Sequence, residues 1–71
     1  MLNQKKEEIM NEVSKVVDRI NEGEFIIEVL KNPEYYGFKV TTPLGYQYCS
    51  IRSQTEVEAV EAARRLITYL K

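Results

Sequence analysis

Few side chains in this chain are equipped for chemistry. Cys49 is the single thiol, and histidine is absent. A thiolate nucleophile needs a base or a cation beside it. Cys49 stands between Tyr48 and Ser50, with no cationic neighbour in sequence. It reads as a small buried or half-buried hydrophobe within a strand. The acidic residues fall mostly among lysines and arginines in stretches of helical spacing, the pattern of a solvated charged face. Acid–base work by two carboxylates also needs a cleft, and a chain this short can hardly enclose one. Neither G-x-G-x-x-G nor G-x-x-x-x-G-K-[ST] occurs, so no phosphate loop is signalled. One cysteine without histidine offers no metal-ligand cluster. The expectation is a non-enzymatic protein with no metal and no cofactor.

Aromatic and basic residues do mix, in Tyr35-Tyr36-Gly37-Phe38-Lys39 and again from Tyr46 to Arg52. Aromatic rings beside cations can stack bases and hold phosphates. Tyr35, Lys39, Tyr46, Tyr48 and Arg52 are therefore the candidate binding residues. The competing reading is structural, because aromatics form strands well and fill small cores. Charge bears on the choice. There are 10 basic and 11 acidic residues, for a net charge of −1 and a pI near 5.4. Nucleic-acid modules carry a basic excess or stripe, which is missing here. A protein-interaction surface is the first expectation and a nucleic-acid-binding sheet face the second.

The elements that position these residues follow from periodicity. Ile9, Val13, Val16, Val17 and Ile20 recur at i, i+4, i+7, i+8 and i+11, one helical stripe. The spacing predicts a helix over 3–22, closed by Gly23 at the left-handed C′ position. Residues 24–31 are rich in β-formers and predict a first strand. Asn32-Pro33-Glu34 is a turn. Further strands are expected over 35–41 and 46–52, joined by Thr42-Pro43-Leu44-Gly45, with proline and glycine where a type I turn prefers them. Short turns imply an antiparallel meander. Ser53-Gln54-Thr55-Glu56 has the spacing of a capping box and opens a helix over 54–70. The apolar stripe of that helix is Ala59, Val60, Ala63, Leu66, Ile67 and Leu70. The fold class expected is α+β: one domain over 1–71, a three-stranded meander with both helices packed on one face (α-β-β-β-α).

The second turn decides which way the tyrosines point. If Pro43-Leu44 forms a two-residue loop, Phe38 faces Cys49 and Tyr36 faces Ile51. Tyr46 and Tyr48 then share a face with Tyr35 and Lys39 and form a stacking surface. If Gly45 instead forms a left-handed bulge, Val40 faces Tyr48 and Phe38 faces Ser50. Tyr36, Phe38, Val40, Tyr46 and Tyr48 then gather on the core face, opposite Lys39, Thr41, Gln47 and Cys49. Two-residue hairpins want positive φ at the first loop position, which proline cannot adopt. That argument, and the cleaner sorting of apolar from polar residues, favours the bulge.

Size sets the remaining expectations. A chain of 71 residues buries only roughly 60% of its unfolded surface, so a staple is usual. With no disulfide and no metal, self-association as a homodimer is the remaining one. The opening Met1-Leu2-Asn3-Gln4-Lys5-Lys6-Glu7-Glu8 lacks the apolar core of a signal peptide. No run approaches the length of a membrane span. A lone cysteine and no export signal suggest the cytoplasm.

The order helix–strand–strand–strand–helix resembles the double-stranded-RNA-binding domain. That family places a basic cluster at the start of its last helix, where this chain has the acidic Ser53-Gln54-Thr55-Glu56-Val57-Glu58. Its Gly-Pro-x-His loop is also missing. The resemblance implies a topology and not an RNA-binding activity. Gly37-Phe38-Lys39-Val40, Gly45 and Thr55-Glu56-Val57-Glu58-Ala59-Val60-Glu61-Ala62-Ala63-Arg64 look like small bacterial strand–strand–strand–helix domains. Some of those are antitoxin-like, and some resemble the sheet-face DNA readers of integrases. In size and charge the chain is also similar to compact inhibitors carried by phages and mobile elements.

Overall fold

The computed structural model describes residues 14–71. Four consecutive strands form one antiparallel sheet: β1 (Lys15–Glu22), β2 (Phe25–Lys31), β3 (Tyr36–Thr41) and β4 (Gln47–Ser53). A single helix, α1 (Glu56–Leu70), follows them. The α+β class holds, but among the described residues the sheet has four strands rather than the expected three.

The correction falls on residues 15–22, which are strand and not the end of a helix. Residues 3–13 of the expected helix lie outside the described residues. Two local features explain the difference. Val16, Val17 and Ile20 are β-branched and stiff, a preference that suits strands. The ladder to β2 also carries a bulge between Val16 and Asp18. A bulge inserts one extra residue and breaks the alternation of faces. Val16 pairs with Leu30 on one face, while Ile20 pairs with Ile27 on the other. Read along the chain, a broken period of two imitates a period of 3.6.

Gly23 therefore does not cap a helix. It has φ 62° and opens a two-residue turn with Glu24, so that Glu22 pairs with Phe25. Glycine at the first loop position is the mark of a type II′ hairpin. Asn32 organises the next turn: its Oδ1 accepts from the N–H groups of Glu34 at 2.9 Å and Tyr35 at 2.6 Å. The third turn takes the bulged form. The Gly45 N–H donates to the Thr42 carbonyl at 2.9 Å, the Thr42 N–H donates to the Tyr46 carbonyl at 2.8 Å, and Gly45 has φ 94°. Val40 consequently pairs with Tyr48, and Phe38 with Ser50.

α1 starts two residues later than the expected box. Thr55 is the N-cap, and its Oγ1 accepts from the Glu58 N–H at 3.1 Å. Glu58 Oε1 accepts from the Gln54 N–H at 2.9 Å. The reciprocal logic of a capping box survives, with Thr55 and Glu58 in the roles expected of Ser53 and Glu56. Ser53 closes β4 and pairs with Tyr36. The helix buries Ala59, Ala63 and Ile67 against Ile27, Val29, Phe38 and Val40. Two alanines on the buried stripe allow close approach to the sheet. Ile20, Phe25, Tyr36, Val60, Ala62 and Leu66 pack around this core.

The helix lies chiefly over β3 and leaves much of β4 uncovered. Among the described residues, the sheet face turned away from α1 has no covering layer. It presents Ile26, Leu30 and Ile51, all half-buried, with charged residues between them.

Candidate functional site

Strand alternation separates the five candidate residues. Tyr48 pairs with Val40, which is fully buried under α1, so Tyr48 and, two residues before it, Tyr46 point to the helix side of the sheet. Lys39 pairs with Cys49, one residue out of phase, and therefore points to the opposite, open face. Tyr35 sits in the turn before β3. Arg52 lies near the far end of β4, beside Ser53, which pairs with Tyr36. Tyr46 and Tyr48 come together; Lys39, Tyr35 and Arg52 do not join them.

The bulged register gives the pairing expected of it, but the tyrosines are not core. Tyr46 is 64% exposed and Tyr48 41% exposed. The reason is coverage: α1 is one helix over a four-stranded sheet, and it packs chiefly over β3. Side chains on the helix side of β4 thus face the core layer without being roofed by it. Tyr36 alone of this set is packed against the core, and Lys31 Nζ lies 5.1 Å from its ring centroid. Cross-strand pairing of Lys31 with Tyr36 sets up that cation–π contact.

Lys39 is engaged elsewhere. Its Nζ lies 3.5 Å from Glu28 Oε1, and Arg19 reaches Glu28 Oε2 at 3.4 Å. Both contacts follow from register, because Glu28 pairs with Arg19 on one side and Lys39 on the other. One carboxylate thus sits between two cations on the open face. Cys49 is exposed on that same face, contrary to the buried or half-buried position expected of it. Its partner across the ladder is Lys39, whose ammonium is turned to Glu28.

Around Tyr46 and Tyr48 the surface is apolar and concave. Phe25, Thr42, Pro43, Leu44, Tyr46, Tyr48 and Leu70 line an open groove of about 330 Å³ between the β3–β4 turn and the end of α1. Leu44, at the tip of that turn, is 85% exposed. Tyr69 is exposed at the same end of the helix. Sequence reasoning passed over Leu44, Phe25 and Leu70. Leu44 carried a usable signal: it is a large apolar residue at a turn position that usually holds Asp, Asn, Ser or Gly.

Among the described residues, no three histidine, cysteine or carboxylate groups gather as metal ligands. No helix of the described residues is long and apolar enough to cross a membrane. The groove offers apolar contact, two phenolic hydroxyls and the Thr42 hydroxyl, which already accepts from the Tyr46 N–H at 3.0 Å. That set suits adhesion by burial. Comparison with family models, curated proteins and solved structures gives no match to this chain.

Proposed function

We propose that this protein is a non-enzymatic protein-interaction module whose contact surface is the aromatic margin formed by Leu44, Tyr46 and Tyr48, with Phe25 and Leu70 beneath them. The observation that carries this reading is the exposure of Leu44, Tyr46 and Tyr48 as neighbours on one rim. Single exposed apolar residues are ordinary, whereas a contiguous cluster marks a contact site. Tyrosine is the residue type such sites favour, combining apolar area with a hydroxyl that tolerates water. A partner for this rim offers apolar side chains to the groove and hydrogen-bond acceptors to the two hydroxyls.

Nucleic-acid binding by the sheet draws less support. Its two tyrosines and Lys39 lie on opposite faces, and Lys39 is paired with Glu28.

The test is retention of partner proteins by the immobilised chain. Wild type and a Val57→Ser control, altered at the far end of α1, should retain the same partner. The triple variant Leu44→Ser, Tyr46→Ser, Tyr48→Ser should lose it while keeping its circular dichroism. Equal retention by the triple variant would remove this surface from consideration.

A further inference from the structure

The sheet has two edges among the described residues, and they are not alike. β1 reads Lys-Val-Val-Asp-Arg-Ile-Asn-Glu, with four charges in eight residues and a bulge in its first half. Charges and bulges are the devices that stop an edge from pairing with another chain. β4 reads Gln-Tyr-Cys-Ser-Ile-Arg-Ser and has one charge in seven residues, Arg52, near one end. Its irregularity lies beyond Ser50, opposite Gly37, and leaves the first half of the strand regular.

The bonding groups of that half can be assigned. The Thr42 N–H donates to the Tyr46 carbonyl, so this is a hydrogen-bonded position of the ladder. Such positions recur every second residue in an antiparallel pair. Val40 with Tyr48 and Phe38 with Ser50 are therefore bonded pairs, while Gln47 and Cys49 turn their N–H and C=O groups outward from the sheet. Beside this edge, on the helix side, stand the uncovered Tyr46 and Tyr48.

We infer that a second copy of this chain pairs with β4, antiparallel and about a two-fold axis near Tyr48 that keeps the join within the regular stretch, to make one continuous eight-stranded sheet. The inference rests on the interaction reading above and names its partner. Self-complementarity argues for a second copy over an arbitrary strand. Antiparallel pairing about that axis opposes each Gln47 to Cys49 of the other copy, so that both sets of outward groups bond, and it brings the two exposed Tyr48 rings together on the helix side. A parallel pairing would stack the two Arg52 cations. The two helices then flank the join, and Tyr46 and Tyr48 from both copies fill the strip of sheet between them. A two-fold contact uses the same patch on both partners, so each favourable contact occurs twice. The association also supplies the staple that a chain with one cysteine otherwise lacks.

Sedimentation of the full chain across roughly 1–500 µM, with amide hydrogen exchange at both ends of that range, tests this. The expected result is a species of twice 8.3 kDa at high concentration, with at least about tenfold slower exchange at Gln47 and Cys49 than in dilute solution. Cys49→Lys places two like charges diagonally across the axis and should weaken association about tenfold or more. Val17→Lys on the other edge should leave it intact. A monomer throughout the range overturns the inference. If that monomer still retains another protein through the Leu44–Tyr48 rim, the interaction reading stands without self-association. A dimer broken by Val17→Lys but not by Cys49→Lys, or one without protection at Gln47 and Cys49, overturns the β4 pairing. Mixed unlabelled and labelled copies that exchange subunits in wild type but not in Cys49→Lys support it.

Discussion

A methyl group at Gly37 has no free space to enter. A Cβ built there would collide with the backbone of Ser50 and Ile51, where β4 bulges against β3. Backbone atoms give way less readily than side-chain ends, so Gly37→Ala should cost about 1–3 kcal/mol, the range for forced overpacking. Urea unfolding would show this as a lower midpoint at unchanged slope; an unchanged midpoint would mean that the bulge relaxes freely. Sequence patterning placed Gly37 in a strand without revealing that demand, because a close approach depends on the neighbouring strand. The same limit applied to Lys39 and Cys49. Alternation fixed which residues share a face once the Gly45 turn was known. It did not disclose that Glu28 would occupy Lys39, since that contact arises between β2 and β3. For Tyr46 and Tyr48 the face was legible and the exposure was not, because exposure depends on how far one helix reaches across four strands.

Elements were legible in proportion to the local chemistry that fixes their ends. The strands from β2 to β4 and the helix α1 lie within a residue or two of their expected bounds, since Asn32-Pro33, Pro43 with Gly45, and Thr55 with Glu58 act within a few residues. β1 was misread because its bulge disguised the alternation, and because its identity depends on pairing with β2 rather than on its own sequence. The start of α1 gives a sharp test of such local signals. Ser53 and Thr55 both precede an apolar run, and both have a glutamate three residues on. Only Thr55 accepts from a helix N–H. Thr55→Ala should therefore cost about 1 kcal/mol, the usual loss of an N-cap. Ser53→Ala should fall within about 0.5 kcal/mol of wild type, as surface changes away from special features do. Chemical denaturation of the two variants side by side decides it, and a larger loss at Ser53 would move the cap back to the box expected from spacing.

At the scale of the whole molecule, the core is small enough for one side chain to matter. Among the described residues, seven apolar ones are fully buried or nearly so: Ile27, Val29, Phe38, Val40, Ala59, Ala63 and Ile67. Of the three that α1 contributes, two are alanines, so Ile67 supplies most of the helix's buried volume. Removing it leaves a cavity bounded by the sheet on one side and a helix held chiefly by that contact. Large-to-small changes of this kind cost about 2–5 kcal/mol. Domains of this length have a total of about 4–10 kcal/mol, at roughly 0.05–0.15 kcal/mol per residue. Ile67→Ala should accordingly lower Tm by roughly 15 °C, at the several degrees per kcal/mol typical of domains this size. Self-association adds a second term, because a partner that binds only the folded chain raises Tm with concentration. Thermal unfolding of wild type and Ile67→Ala at low and high concentration separates the two terms. The cavity loss should persist at both concentrations, while Tm of each protein rises as the chain is concentrated. A Tm loss of only a degree or two at low concentration would show that the sheet holds together without the helix. Ile67 would then not be the residue that clamps α1 onto β2 and β3.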